Sequence, residues 1–129
     1  MSEEGKSTAP NAPVQPAAPG PVTIRIEEFQ RLALRIGRIT ASQEHPNADR
    51  LLVLTVDIGE PTPRQVVAGI RKSYQAAELV GKHVVVVNNL KPAMLRGIES
   101  QGMVLAASDD TGFVLVTPER AIPPGSIVK

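Results

Sequence analysis

The feature that most constrains the fold is a series of short apolar runs, each bounded by turn-forming residues. The runs "LLVLTVDI" (51–58) and "RQVVAGI" (64–70) are separated by "GEPTP", and "KHVVVVN" (82–88) is mainly valine. The other runs are "LALRIGRITAS" (32–42), "MVLAAS" (103–108) and "FVLVT" (113–117). Apolar runs of this length, interrupted by Gly, Pro, Asn and Asp, are typical of β-strands. The chain is therefore predicted to be all-β.

In the run 32–42 the alternation of apolar residues changes phase at Gly37. This change predicts a bulge or bend that lets a sheet curl on itself. The segment "KSYQAAELVG" (72–81) is the one strong helix signal, and "EEFQRL" (27–32) could form a single helical turn. "DDTG" (109–112) predicts a hairpin turn between the last two strands. Five or so strands, with one short helix between strands 3 and 4, predict a five-stranded barrel of the oligonucleotide/oligosaccharide-binding (OB) type.

The first 22 residues differ in composition from the rest. They contain five of the twelve prolines, many alanines and almost no large apolar side chains. Such a segment cannot bury enough surface to offset the entropy lost on ordering. Residues 1–22 are predicted to be a disordered Pro/Ala-rich tail or linker, and residues 23–129 are predicted to form one domain.

The composition also limits the cellular setting. The chain has no cysteine, so disulfides and thiolate chemistry are excluded, which fits a reducing compartment. No run reaches the ~18 apolar residues that a membrane helix needs, and the charged start "MSEEGK" is followed by no apolar signal core. A cytoplasmic protein without membrane contact is expected.

Candidate catalytic residues are sparse. Neither His45 nor His83 has another His, Asp or Glu at metal-ligand spacing, so both are interpreted as surface or hydrogen-bonded structural histidines. Asp109 and Asp110 belong to the predicted turn, where a structural role is expected. Phosphate-binding loops and nucleophile elbows do not occur. No catalytic residue, metal or cofactor is predicted.

The charge distribution points to a polyanionic partner. The net charge is only +1, but residues 64–96 hold six cations against Glu78 alone, a local net charge of +5. A local excess of this kind suits a phosphate-binding face. The six cations are Arg64, Arg71, Lys72, Lys82, Lys91 and Arg96.

The segment "NLKPAMLRGIESQGM" (89–103) is interpreted as a long, ordered loop at the rim of the barrel. Its polar side chains are of the types that contact phosphates, 2′-hydroxyls and base edges, namely Asn89, Lys91, Arg96, Ser100 and Gln101. The three aromatic residues, Phe29, Tyr74 and Phe113, can all be assigned to core or helix packing. Recognition of RNA backbone shape is therefore expected, rather than base stacking.

Four motifs carry a family resemblance. "HPNADRLLVLTVDIG", "VVAGIRKSY", "LVGKHVVVVNNLKPAMLRGIESQGMVLAAS" and "PPGSIVK" follow one another in unbroken order over residues 24–129. Together they closely resemble the tRNA-binding domain found at the C-terminus of many methionyl-tRNA synthetases and in free-standing tRNA-binding proteins. The resemblance implies an OB barrel, typically a homodimer, that binds tRNA by shape with little sequence preference.

The resemblance also implies specific contacts. The family element A-D-[KR]-L falls on residues 48–51 and makes Arg50 a phosphate-facing cation. The elements N-L-x-P and R-G-x-x-S-x-G-M fall on residues 89–92 and 96–103. With the local cations added, the predicted RNA-binding residues are Arg50, Arg71, Lys72, Asn89, Lys91, Arg96, Ser100, Gln101 and Met103.

The chain departs from the family pattern at several positions, one of them Asn88, which is less usual before Asn89. Ala93 and Met94 stand where many relatives have basic residues, and Ala68 stands where a serine is common. One cation fewer predicts weaker binding and a salt dependence flatter by about one unit of slope.

The function expected from the resemblance is that of a non-catalytic, structure-specific tRNA-binding module that assists methionyl-tRNA synthetase in cis or in trans. One alternative is a peptide-binding module related to export chaperones, because a branch of the same barrel superfamily resembles that function. Members of that branch lack the A-D-[KR]-L element in this form. The other alternative is a dimerisation domain of a synthetase.

Overall fold

The computed structural model describes residues 22–129. The tail predicted for residues 1–22 lies outside the described residues except for Val22, which is exposed. In chain order, the elements are α1 (Ile26–Phe29), β1 (Leu34–Glu44), β2 (Leu52–Asp57), β3 (Arg64–Ala68), α2 (Ala76–Leu79), β4 (His83–Val87), β5 (Ala93–Leu95), β6 (Ile98–Ser100), β7 (Met103–Val104), β8 (Ala106–Asp109), β9 (Gly112–Leu115) and β10 (Ile127–Val128).

The main sheet is a nearly closed antiparallel barrel, which confirms the predicted fold class. Its strands follow the order β3-β2-β1-β4-β7, and β10 pairs with the start of β1. β1 is long enough to serve two sides of the barrel, because residues 34–38 pair with β4 and residues 38–44 pair with β2. The helix α2 lies between the third and fourth strands, as predicted.

The bend in β1 is not at the predicted position. Pairing with β4 runs without a shift from Leu34 to Arg38, so the strand alternates regularly through Gly37. The register with β2 shifts between Ile39 and Ala41, which places the bulge at Thr40. The apparent phase change arises because both faces of β1 are covered by apolar groups.

Gly37 is required for a different reason. A Cβ at this position would lie 2.4 Å from Cγ1 of Val56 and 3.0 Å from Cγ2 of Val86. The two valines belong to the strands on either side of β1, so they occupy the space that a larger residue at position 37 would need. Close packing inside the barrel, and not the bend itself, explains the glycine.

The apolar side chains form two clusters on opposite faces of the sheet. Along β4, Val84 and Val86 face the barrel interior, whereas Val85 and Val87 face the second cluster. A strand buried on both faces needs apolar residues throughout, which explains the uninterrupted valine run. The second cluster also contains Leu34 and Ile36 and is covered by Phe29, Leu105 and Val128.

The helix α2 is shorter than predicted. It begins at Ala76 rather than near residue 72, because Ser73 and Tyr74 both donate their backbone N–H to the carbonyl of Ile70 in a preceding turn. Leu79 is fully buried and anchors the helix to the core. Gly81, with φ of 94°, follows the helix as expected. The predicted helical turn near residue 27 is present as α1.

Two hairpins lie outside the main sheet. The predicted "DDTG" turn joins β8 to β9, where the hydroxyl and N–H of Thr111 donate to Oδ1 of Asp109 and hold the pKa of that carboxyl below its ordinary value. The segment 89–103, interpreted as a long loop, instead contains the hairpin of β5 and β6. Within residues 22–129, no helix is long and apolar enough to cross a membrane.

Candidate nucleic-acid interface

The tip of the β5–β6 hairpin presents a cation in an unusual backbone conformation. Arg96 and Gly97 have φ of 53° and 91°, the two positive values of a type I′ turn. Arg96 is the one non-glycine residue with positive φ in the described part of the chain. Its guanidinium is exposed, and its Nε and Nη2 donate to the carbonyl of Asn47, each at 3.3 Å.

His45 fastens this hairpin to the turn at residues 45–51. Its side chain is only 2% exposed. Nδ1 accepts a hydrogen bond from the backbone N–H of Asn47 (2.9 Å), so the ring proton lies on Nε2, which donates to the carbonyl of Leu95 (3.0 Å). His45 is therefore a hydrogen-bonded structural histidine, as predicted, and it also positions Arg96.

Further cations surround the same turn. Nη1 of Arg71 donates to the carbonyl of Ala48 (3.3 Å), the neighbour of the carbonyl that Arg96 contacts, and its Nη2 pairs with Glu44 (3.0 Å). The backbone N–H of Arg71 donates to the carbonyl of Arg50, whose side chain is exposed. Lys72 follows directly and is exposed. We call Arg50, Arg71, Lys72 and Arg96 the cationic cluster.

Two of the predicted site residues are hydrogen-bonded to β3, and of these Ser100 is buried and Gln101 is partly exposed. Ser100 is 5% exposed; its hydroxyl accepts from the N–H of Val67 (3.0 Å) and donates to the carbonyl of Gly102 (2.9 Å). Gln101 accepts the N–H of Gln65 on its Oε1 (2.9 Å) and donates its own N–H to the carbonyl of Gln65 (2.7 Å). Both residues fasten the β6–β7 link to the edge of β3 and so support the interface from inside.

Asn89 lies apart from the cationic cluster. The amide of Asn89 accepts the N–H of Ala33 (2.9 Å) and donates to the carbonyl of Arg31 (2.7 Å). These contacts lie before the start of β1, whereas the cluster surrounds the turn that follows its end. Lys91 is exposed in the link from β4 to β5.

The remaining cations of the sequence patch are also separate. Nη1 of Arg64 donates to the carbonyls of Asn88 (3.2 Å) and Gln101 (3.0 Å), so its guanidinium serves the fold. Lys82 lies with Arg120 along a different shallow pocket. The structure therefore divides the predicted charge patch. Three of its six cations, Arg71, Lys72 and Arg96, belong to the cationic cluster, and Arg50 joins them there.

Met103 lines a groove that was not predicted from the sequence. The groove has a volume of about 390 Å³ and is lined by residues 67–70, residues 103–106 and Phe113. Met103 is 46% exposed and Phe113 is 43% exposed. The assignment of all three aromatic residues to core or helix packing is therefore wrong for Phe113, although Tyr74 and Phe29 do pack against the two apolar clusters.

The described residues contain no group of three or more His, Asp or Glu side chains arranged to hold a metal ion. The distinctive features of the surface around the β1–β2 turn are the four cations of the cationic cluster, exposed backbone and the apolar groove. An arrangement of this kind can bind phosphates and aromatic rings.

The fold and this surface define a small barrel of the OB type. Residues 34–127 match the family described as a putative tRNA binding domain, and the chain belongs to that family. The methionine–tRNA ligase of Thermococcus kodakarensis is 45% identical over 106 residues, which make up 82% of this chain but 14% of that protein. The chain thus spans about one seventh of the length of this relative.

Solved structures agree with the family assignment. A protein related to methionyl-tRNA synthetase from Pyrococcus horikoshii aligns with a TM-score of 0.77 and 30% identity, covering 84% of this chain and 99% of that one. The chaperone CsaA from Bacillus anthracis aligns with a TM-score of 0.76 and 31% identity, covering 84% of this chain and all of that one. The same barrel therefore occurs in proteins that carry two different functional names.

Proposed function

We propose that this chain is a non-catalytic module that binds folded tRNA through its cationic cluster. The observation that supports the proposal most strongly is that Arg71 and Arg96, 25 positions apart, bond the consecutive carbonyls of Ala48 and Asn47. Two guanidinium groups and the exposed Arg50 thereby share one turn, at a spacing fixed by the backbone. A rigid set of cations can follow phosphate positions and so read the shape of an RNA.

The module would serve a methionyl-tRNA synthetase, either in cis or in trans. Family membership and the methionine–tRNA ligase relative support this part of the proposal. A tethered or dimeric binding module raises the local concentration of tRNA near the catalytic protein without adding a catalytic group. Within this proposal Lys72, Lys91 and Met103 add further RNA contacts, and Asn89, Ser100 and Gln101 hold the backbone that presents them.

The test is a titration of Arg50→Gln with several folded tRNAs over a range of salt concentrations. Removing one phosphate contact should weaken binding to all tRNAs to a similar degree and lower the salt slope by about one unit. Arg120→Gln is a matched control, because Arg120 is also an exposed arginine but lies outside the cluster. A loss restricted to one tRNA species, or an equal loss in the control, would contradict recognition of shape by this cluster.

A second candidate function is peptide binding, and the structural similarity to the chaperone CsaA together with the apolar groove favours it. The ratio of absorbance at 260 and 280 nm, measured on protein freshly purified at low salt with and without ribonuclease, separates the two functions. Co-purifying RNA supports the tRNA proposal, and its absence supports peptide binding. Equal affinity for tRNA and unstructured RNA of the same length would favour a synthetase dimerisation domain.

We also propose a homodimer. Ile24, Ile26, Leu32 and Ile127 are between 45% and 65% exposed, and a shallow pocket of about 320 Å³, lined by apolar side chains and three cations, lies between α1 and β10. An exposed apolar surface around a pocket commonly marks a protein contact. A second copy of this chain would cover it and would also double the number of cationic clusters available to one RNA.

A further inference from the structure

The apolar groove lies where the barrel is not closed by strand pairing. β3 pairs with β2 on one side, and its other edge is bonded by Ser100 and Gln101 only as far as Val67. Beyond that point, residues 68–70 form one wall and residues 103–106 form the other. A volume of about 390 Å³ falls within the range of about 300–1,000 Å³ that small-ligand pockets occupy.

Phe113 is held rigidly at the end of this groove. Its backbone N–H donates to Oγ of Ser73 (2.8 Å), and the N–H of Leu115 donates to the hydroxyl of Tyr74 (3.0 Å). The β8–β9 turn beside it is tied by the contacts between Thr111 and Asp109. An exposed ring whose backbone is fixed on both sides can act as a stacking platform with little further loss of entropy on binding.

The opposite wall leaves room for a flat group. A Cβ placed on Gly69 would meet only Cδ2 of Leu51, at 3.8 Å, so the backbone there is open to the groove. Met103 completes the lining with a flexible thioether that contacts aromatic rings favourably. A planar, apolar-faced ring suits this space better than a bulky aliphatic chain.

The charged residues near the groove indicate which chemical group should accompany the bound ring. Lys72 precedes Ser73, the residue that holds Phe113, and the backbone of Arg71 is bonded to that of Arg50. Ile70 lines the groove and Arg71 follows it in the chain, so the cationic cluster begins at that end of the groove. Asp109 and Asp110 lie in the hairpin turn just before Phe113, so an anionic group is favoured beside Arg71 and Arg50 and not at that turn.

From these observations we infer that the groove binds one unpaired nucleobase of the RNA, stacked on Phe113, while the adjoining phosphates contact the cationic cluster. The inference rests on the proposed function and adds a contact to it that shape recognition alone lacks. An unpaired base is exposed in the loops and at the end of a folded tRNA, but a blunt duplex offers none.

The experiment compares Phe113→Leu with Phe113→Tyr in titrations with folded tRNA and with a blunt 20-base-pair RNA duplex. Phe113→Leu keeps the apolar volume but removes the ring, and the affinity for tRNA should fall about tenfold with an unchanged salt slope. Phe113→Tyr should stay within about twofold of the unaltered chain, because the ring remains. Duplex binding should not change in either variant.

Val114→Leu is the matched control, because Val114 is 64% exposed and successive strand residues point to opposite faces. A normal unfolding midpoint for Phe113→Leu confirms that this half-exposed position tolerates the change. If the unaltered chain binds folded tRNA no more tightly than the blunt duplex, the proposed function fails. If it does, but Phe113→Leu binds tRNA normally, only the groove inference is overturned.

One further outcome tests the competing occupant. A fluorescein-labelled decapeptide of alternating leucine and serine should bind weakly and should not be affected by Phe113→Leu. If the peptide binds tightly and loses affinity in Phe113→Leu while tRNA binding is normal, the groove is a peptide site and the inference is wrong.

Discussion

At the scale of single residues, Arg96 combines backbone strain with a charge that we propose contacts RNA. A φ of 53° is unfavourable for a long side chain, whereas asparagine tolerates this region and is common in type I′ turns before glycine. We expect Arg96→Asn to raise the free energy of unfolding by about 0.5–1 kcal/mol while weakening tRNA binding. Urea denaturation and a tRNA titration measure the two effects.

Arg96→Ala separates the two contributions. It removes the same charge and the same contact with Asn47 but gains no preference for positive φ, so its affinity should match that of Arg96→Asn and its stability should be lower. If Arg96→Asn were less stable than the unaltered chain, the two bonds of the guanidinium to Asn47 would outweigh the strain.

Local chemistry in the sequence was enough to single out some residues that the structure brings together. Arg50 and Arg96 were found from motifs and charge, and the structure places both at one turn. The positions of Ser100 and Phe113 could not be predicted, because each depends on a distant partner. Ser100 is bonded to Val67, 33 positions away, and Phe113 is held by Ser73, 40 positions away.

At the scale of strands, Gly37 sets how closely β1 can pack inside the barrel. Gly37→Ala would bring its Cβ against Cγ1 of Val56, and we expect a loss of about 1–3 kcal/mol in the free energy of unfolding. Combining it with Val56→Ala should lower this cost, because the second change removes the atom in the way. A double-mutant cycle by urea denaturation measures the coupling.

Gly69→Ala is the control for this cycle. Its Cβ would lie 3.8 Å from the nearest side-chain atom, an ordinary contact, so the stability should change little. If Gly37→Ala were equally harmless, or if Val56→Ala did not reduce its cost, the explanation by close packing would be wrong.

The number and type of the main strands could be predicted from apolar periodicity, but the β5–β6 hairpin could not. Its strands, Ala93–Leu95 and Ile98–Ser100, are three residues long and show no clear alternation. The turn residues are Arg-Gly, whereas Asn-Gly and Asp-Gly are the strong hairpin signals. The hairpin forms because His45 binds the carbonyl of Leu95, a contact that requires the folded chain.

At the scale of the whole molecule, the proposed homodimer can be tested through Ile127, which is 65% exposed on β10. In a dimer a carboxylate there would lose its hydration and replace an apolar contact, so Ile127→Asp should shift the protein to monomers. Sedimentation equilibrium over a range of concentrations measures the shift. The tRNA affinity should also fall, because one RNA could then contact only a single cationic cluster.

Val114→Asp is the control, since Val114 is 64% exposed but lies on the β8–β9 hairpin. It should leave the oligomeric state unchanged. A dimer that survives Ile127→Asp, or dissociates equally in Val114→Asp, would argue against a contact through α1 and β10.

The pairing of β10 with β1 also sets an order of folding. The β1–β2 turn joins Glu44 to Leu52, 52 minus 44 or 8 positions apart, whereas Leu34 meets Val128 across 128 minus 34 or 94 positions. Closing the longer loop costs about 2 kcal/mol more in chain entropy, so β10 should dock after the barrel strands have paired. The surface between α1 and β10 should then be completed last, so the proposed dimer would form only after the barrels have closed.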